Sequence, residues 1–203
     1  MSLLQTFIIG FVFSFIGSIP PGTINVSVAQ LSLNKQFWAA MRFALAAGLI
    51  EYPYVLIAVK FESWITSTPM IIANFQVIAG SVMILLGIVN LWSTASPTKL
   101  TKKLQDSGFR KGLLISIANP LAIPFWVAVT AYLKSNDWVN TTGSNIYLYA
   151  LAISLGTIAL LSLVAILAKK IAPLLQHSQI VKNLPGWIFI VLGIYTFWEY
   201  VGG

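Results

Sequence analysis

Two stretches, Ser18-Ile19-Pro20-Pro21-Gly22-Thr23-Ile24-Asn25 and Ser116-Ile117-Ala118-Asn119-Pro120-Leu121-Ala122-Ile123-Pro124, each set prolines in the middle of a long apolar run. Proline has no N–H and its ring clashes with the preceding turn, so each run is broken as a helix. Pro20 and Pro21 take the usual partners from the carbonyls of Ile16 and Gly17, and Pro120 does the same to Ser116. In hydrocarbon such carbonyls must meet protein, water or a ligand. Beyond each break a second half-helix is expected. Asn119 is suited to cap one, with Pro120 as its first residue, and Gly22 allows close backbone approach beside the Thr23 hydroxyl. Half-helix amino termini carry unpaired N–H donors and the positive end of a dipole, so two of them converging from opposite leaflets form a site for a carboxylate. A lone proline commonly only kinks a membrane helix. It is the matched pair that points to a site.

The surrounding composition places both breaks in a membrane. The 203 residues are 58% hydrophobic with mean hydropathy +0.85. Only 8% are charged, against about 25% in ordinary soluble proteins. The net charge of +7 would suggest nucleic acid if the basic residues formed a face or a tail, but they sit in short connectors, so no nucleic-acid partner is expected. With no cysteine, disulfides, thiolate metal sites and thiol nucleophiles are excluded. The single histidine, His177, argues against a histidine metal cluster or a serine–histidine dyad in the bilayer.

A crossing helix needs about 20 mostly apolar residues. The charge-free runs yield six spans: Leu4 to Leu31, Phe37 to Val59, Pro69 to Trp92, Gly112 to Leu133, Asn145 to Ala168 and Leu184 to Trp198. The amino-terminal run has no basic residue before it and no small-residue cleavage signature, and is expected to be retained as a span. Ten of the 12 basic residues fall in the first, third and fifth connectors with the adjoining span ends: Lys35, Arg42, Lys99, Lys102, Lys103, Arg110, Lys111, Lys169, Lys170 and Lys182. Lys60 and Lys134 remain for the other side, so the positive-inside rule puts both termini outside the cytoplasm. Trp38, Trp64, Trp92, Trp138, Trp187 and Trp198 fall near span ends as an interfacial belt; Trp126 does not.

The expected fold is therefore an all-α integral membrane protein forming one transporter domain over residues 1–203. The long connector, residues 93–109, divides repeat one (about 1–92) from repeat two (about 110–203). Three spans per half make any repeat between them inverted. Spans one and four are broken at corresponding depths, the sequence pointer to a midplane transport site.

Glu51 is the second chemical feature. It lies about 4.5 Å by helix rise from the middle of span two, where a carboxylate costs about 2.5–3.5 kcal/mol on insertion scales. It can bind a substrate ammonium, carry a coupling proton, or sit protonated against a hydroxyl or freed carbonyl; no basic residue is expected at its depth in another span. Tyr52 and Pro53 lead us to expect span two to be irregular here. Glu62 and Glu199, at span ends, are expected to be solvated. Small residues at intervals of four (Gly10, Ser14 and Ser18; Ala40, Ala44 and Gly48; Ala152 and Gly156) allow helices one, two and five to approach closely, or equally line a homo-oligomer contact.

Ile19-Pro20-Pro21-Gly22-Thr23-Ile24-Asn25 resembles the proline-glycine-proline segment in the first helix of the LysE/RhtB amino acid exporters. Phe109 to Phe125 (FRKGLLISIANPLAIPF) resembles that family's glycine followed by asparagine-proline in the fourth helix. The likeness covers nearly the whole chain in length, span count and motif placement. Thr23 replaces the family's second proline, Leu121 stands where a lysine often follows asparagine-proline, and the glycine-rich second helix is here Ala44-Leu45-Ala46-Ala47-Gly48 leading to Glu51. The resemblance implies proton-driven export of amino acids or similar small solutes from a bacterial cytoplasm through the inner membrane.

Taken with the breaks, the expected substrate site comprises Pro20, Pro21, Gly22, Thr23, Asn25, Glu51, Tyr52, Asn119, Pro120 and Trp126, with Glu51 the candidate for proton coupling. No cofactor and no metal are expected, since one buried carboxylate is too few hard ligands for Mg²⁺ or Ca²⁺. The other reading is a passive channel. Aquaporins also pair half-helices, but with an asparagine-proline-alanine motif in each half, and the first half here carries Pro20-Pro21-Gly22-Thr23 instead. An intramembrane enzyme would need a nucleophile and a base at depth, and His177 lies in the fifth connector.

Overall fold

The computed structural model describes residues 2–20, 22–67, 75–92, 108–119 and 122–177, together with Trp187, Ile190, Val191, Gly193, Ile194, Tyr195, Phe197 and Trp198. Among these residues the structure is helical, without strands. Its helices are α1 (Leu3–Gly17), α2 (Thr23–Leu33), α3 (Phe37–Ser67), α4 (Phe75–Trp92), α5 (Gly108–Ile117), α6 (Ala122–Ser135) and α7 (Asn145–His177). The expected first span is thus two helices, α1 and α2, and the expected fourth is α5 and α6, whose axes meet at 68°. By length and composition α3 and α7 can each cross a membrane alone, and α5 with α6 makes a third, bent span.

Charge-free runs misjudge where helices stop. The second span, expected to end at Val59, continues through Lys60 and Glu62 to Ser67, and it is unbroken at Tyr52 and Pro53. Pro53 lies on an exposed face of α3, away from the packed core. Likewise α7 extends beyond Ala168 to His177, and α5 begins at Gly108 instead of Gly112. The seam between the expected repeats, residues 93–107, lies outside the described residues, as does Glu199.

α3 and α7 pack on each other at the centre; α1 lies on α7, α5 and α6 lie on α3, and α2 touches both α3 and α7. Small residues set these approaches, as expected for helices associating without a hydrophobic driving force. Gly10 meets Tyr149 and Ala152, Gly156 meets the Phe11 carbonyl and Ser14, and Gly48 meets Ile158 and the Ser154 carbonyl. Gly108 and Gly112 press against α3 backbone at Ala39 and Phe43, a contact not foreseen because Gly108 falls within the expected connector. The last helical residues lie on α4, where Gly80 faces Phe197 and the Gly193 carbonyl.

Hydroxyls bridge the same seams. Ser14 donates to the Ile153 carbonyl at 2.7 Å, Ser154 to the Gly48 carbonyl at 2.5 Å and Ser32 to the Ala165 carbonyl at 2.6 Å. Glu62, expected to be solvated, is instead buried and accepts from the Lys134 ammonium at 2.5 Å, tying the end of α3 to the end of α6. The six tryptophans assigned to the interface are exposed on the chain, and Trp126 is buried.

Candidate functional site

The two breaks have the same local geometry. At the end of α1, Ser18 N–H donates to the Ser14 carbonyl (2.9 Å) and Ile19 N–H to the Ile16 carbonyl (3.0 Å). At the end of α5, Ala118 N–H donates to the Leu114 carbonyl (3.1 Å) and Asn119 N–H to the Ser116 carbonyl (3.1 Å). Pro20 and Pro120 follow next in sequence. A tightened last turn therefore supplies partners for Ile16 and Ser116, two of the carbonyls expected to be left free. Side chains reach the carbonyls beyond it. Asn25 Nδ2 donates to the carbonyls of Ser18 (2.9 Å) and Pro20 (3.1 Å), and the Tyr54 hydroxyl donates to that of Ile117 (2.7 Å).

The start of the first half-helix is open. α2 begins at Thr23 with Gly22 as its cap residue and no side-chain capping bond, so the first amides of α2 have no side-chain cap. Gly22 has extended backbone (φ −115°), is exposed, and has open space where a Cβ would stand. Thr23 is exposed as well. In the second break the Asn119 backbone N–H closes the last turn of α5, and α6 is described from Ala122 onward. Pro21, Pro120 and Leu121 lie outside the described residues.

Glu51 joins the two breaks. The buried Trp126 on α6 donates its indole N–H to Glu51 Oε1. Phe125, beside Trp126 with ring centroids 4.9 Å apart at 76°, fills the space next to Gly17 at the end of α1. Tyr52 is partly buried against the cluster that contains Trp126, Tyr149 and Ile153. α2 turns back into α3 at Lys35 (φ 61°), and Ile24 packs on the buried cluster that includes Ala44 and Ala47. Tyr54, three residues after Glu51, reaches the Ile117 carbonyl at the second break.

Of the expected site residues, then, Glu51 and Trp126 meet between α3 and α6, and Tyr52 packs on the cluster that contains Trp126. Gly22 and Thr23 open the amino terminus of α2, and Asn25 and Asn119 serve to close the breaks. Sequence reasoning missed Tyr54, whose signal is its place three residues after Glu51 on the same helix face. Two surface grooves are present elsewhere: about 410 Å³ beside Gln5, Ile9, Phe13 and Trp138, and about 260 Å³ beside Lys35, Trp38 and Arg42. Neither includes Glu51 or a break residue. Among the described residues no three His, Cys, Asp or Glu side chains group as metal ligands.

Residues 15–199, which contain both breaks, Glu51 and Trp126, match the family model of the LysE type translocators. The chain belongs to the LysE type translocator family. It is also similar to the "Putative amino acid efflux protein YcgF" of Bacillus subtilis (strain 168), at 24% identity over 185 residues, covering 89% of this chain and 88% of that protein. No solved structure matches the chain. Family membership makes the chain a membrane transporter, and the Glu51–Trp126 contact links α3 to α6.

Proposed function

We propose that this translocator exports amino acids or similar small zwitterionic or cationic metabolites from a bacterial cytoplasm across the inner membrane, as a secondary carrier coupled to protons. The observation that carries the reading is the Glu51–Trp126 hydrogen bond, a carboxylate inside a 31-residue helix held by a buried indole from the opposite broken span. A carboxylate so placed is expensive in a bilayer and marks a functional path.

A zwitterion needs an anion site and a cation site close together. The amides of Thr23, Ile24 and Asn25 at the start of α2, open over Gly22, suit the carboxylate. Glu51 suits the ammonium, with Trp126 and Tyr52 walling that side. Release of the substrate leaves Glu51 free to take the coupling proton, and Trp126 then occupies its oxygen until the next substrate displaces the indole. The similarity to an amino acid efflux protein and the family membership support export of this substrate class.

Six spans in two inverted halves fit the observed packing. Exchange of the halves carries α1 on α7 into α5 on α3 and α2 on α7 into α6 on α3, and leaves the α3–α7 and α4–carboxyl-terminal contacts in place. The matching hydrogen bonds ahead of Pro20 and Pro120 support the same exchange. The basic connectors then face the cytoplasm and both termini the periplasm.

The test is Glu51→Gln in reconstituted vesicles, with uptake of a labelled amino-acid mixture driven by an imposed pH gradient. Loss of uptake or of its dependence on the gradient, with normal insertion, is expected. Unchanged, gradient-dependent uptake removes Glu51 from the mechanism. A flux in the wild type that neither saturates nor responds to the gradient identifies a passive pore instead.

A further inference from the structure

Ser116 occupies the last turn of α5 and is 3% exposed, and its hydroxyl is a buried polar side-chain group with no hydrogen-bond partner among the described residues. Its carbonyl is satisfied by Asn119 N–H, so the want of a partner belongs to the side chain alone. A buried hydroxyl without a partner is destabilising, and in native proteins such a group calls for an explanation.

The packing register says where it sits. Gly108 lies against Ala39, and Gly112 against Phe43 and Ala46, so α5 and α3 advance together by one turn at a time. Continued by one turn, the same register points Ser116 toward Ala47 and Ile50, the residues that precede Glu51 on α3. Ile115, its neighbour, and Ile24 from the first turn of α2 both pack against the buried cluster that includes Ala44 and Ala47. The helix that carries Ser116 thus packs on α3 in this register and also touches α2.

We propose that Ser116 is a substrate-specificity residue, whose hydroxyl oxygen accepts a hydrogen bond from the ammonium group of the transported amino acid beside Glu51. This rests on the reading of the chain as an amino acid exporter. The surroundings select the ammonium end: the carboxyl terminus of α5 presents the negative end of its dipole, and Glu51 is the carboxylate that the register sets next along α3. The open amides of α2 leave the substrate carboxylate to the other side of the site. Solutes that keep the carboxylate but lack N–H donors on a charged nitrogen lose this contact, which makes free amino acids preferred over their N-acetylated forms.

Ser116→Ala separates this role from a structural one, because removing an unsatisfied hydroxyl relieves the fold while removing a ligand weakens transport. In vesicles, half-saturation for a ¹⁴C-labelled mixture of free amino acids is expected to rise about tenfold, the loss of one hydrogen bond to a charged group. Inhibition by the N-acetylated mixture stays as in the wild type. The thermal midpoint in detergent, read from tryptophan fluorescence, stays level or rises. Unchanged half-saturation, or equal weakening toward free and acetylated mixtures, overturns the assignment, as does a lowered midpoint with unchanged transport. A wild-type protein that moves none of the mixture overturns the exporter reading beneath it, and the assignment with it.

Discussion

Gly156→Ala tests the seam that holds the first half against the second. A Cβ at Gly156 would lie 2.5 Å from the Phe11 carbonyl oxygen, 2.8 Å from Ser14 Cβ and 3.0 Å from Ser14 Oγ. Because the first neighbour is backbone, α1 must move away as a unit. Overpacking of this kind costs about 1–3 kcal/mol. The movement also stretches the 2.7 Å bond from Ser14 to the Ile153 carbonyl and the 3.0 Å contact with Thr157, worth about 1 kcal/mol net. Alanine is the better helix former by about 1 kcal/mol, which offsets part of this. The balance is a destabilisation of about 2 kcal/mol, or a midpoint lowered by about 4–8 °C for a domain of this size. Thermal unfolding in detergent followed by tryptophan fluorescence measures it. Gly22→Ala is the control, since a Cβ there meets nothing within 4 Å and the backbone is extended, and its midpoint is expected to hold or rise slightly. A Gly156→Ala protein as stable as the wild type refutes the close approach of α1 to α7.

Two further perturbations address the ion pair and the first break. Lys134→Met leaves Glu62, 3% exposed, without its ammonium partner. The expected loss is about 2 kcal/mol, below the about 3–5 of a fully buried pair because the Lys134 side chain is 30% exposed. Glu62→Gln in the same chain should restore most of that loss, and a double variant no better than the single one argues against the pairing. Asn25→Ala removes both bonds that close the Ser18 and Pro20 carbonyls, for an expected loss of about 1–3 kcal/mol together with weakened transport. An unchanged midpoint would show that the break closes without Asn25.

The breaks are legible in the sequence because each sets proline beside a second helix-stopping residue, Pro21 and Gly22 in the first and Asn119 in the second, whereas the lone Pro53 leaves α3 unbroken. Glu51 is legible for a similar reason, since a carboxylate deep in an apolar run needs a partner. The identity of that partner is not legible, although Trp126, out of place in any interfacial belt, marks itself as unusual. How the breaks close is hidden because the donors, Asn25 and Tyr54, are chosen by three-dimensional register and not by spacing to the prolines. The helix ends are misjudged at Val59 and Ala168 because the absence of charge marks where hydrocarbon begins, whereas a helix continues into water or past a paired charge such as Glu62. The α5 contact on α3 has a visible signal in Gly108, Gly112 and Ser116 at intervals of four, the same spacing as Gly10, Ser14 and Ser18.

The absence of native cysteine makes the passage between the broken helices directly measurable. Single-cysteine variants Thr23→Cys and Ala118→Cys, both at exposed positions beside the breaks, are treated in membranes with a polar, membrane-impermeant thiol reagent, with and without a saturating amino-acid mixture. If the solute passes between the two breaks, both thiols react and the mixture slows both together. Thiols that stay unreactive to the polar reagent yet react with a lipid-soluble one would place both breaks against lipid and contradict the account.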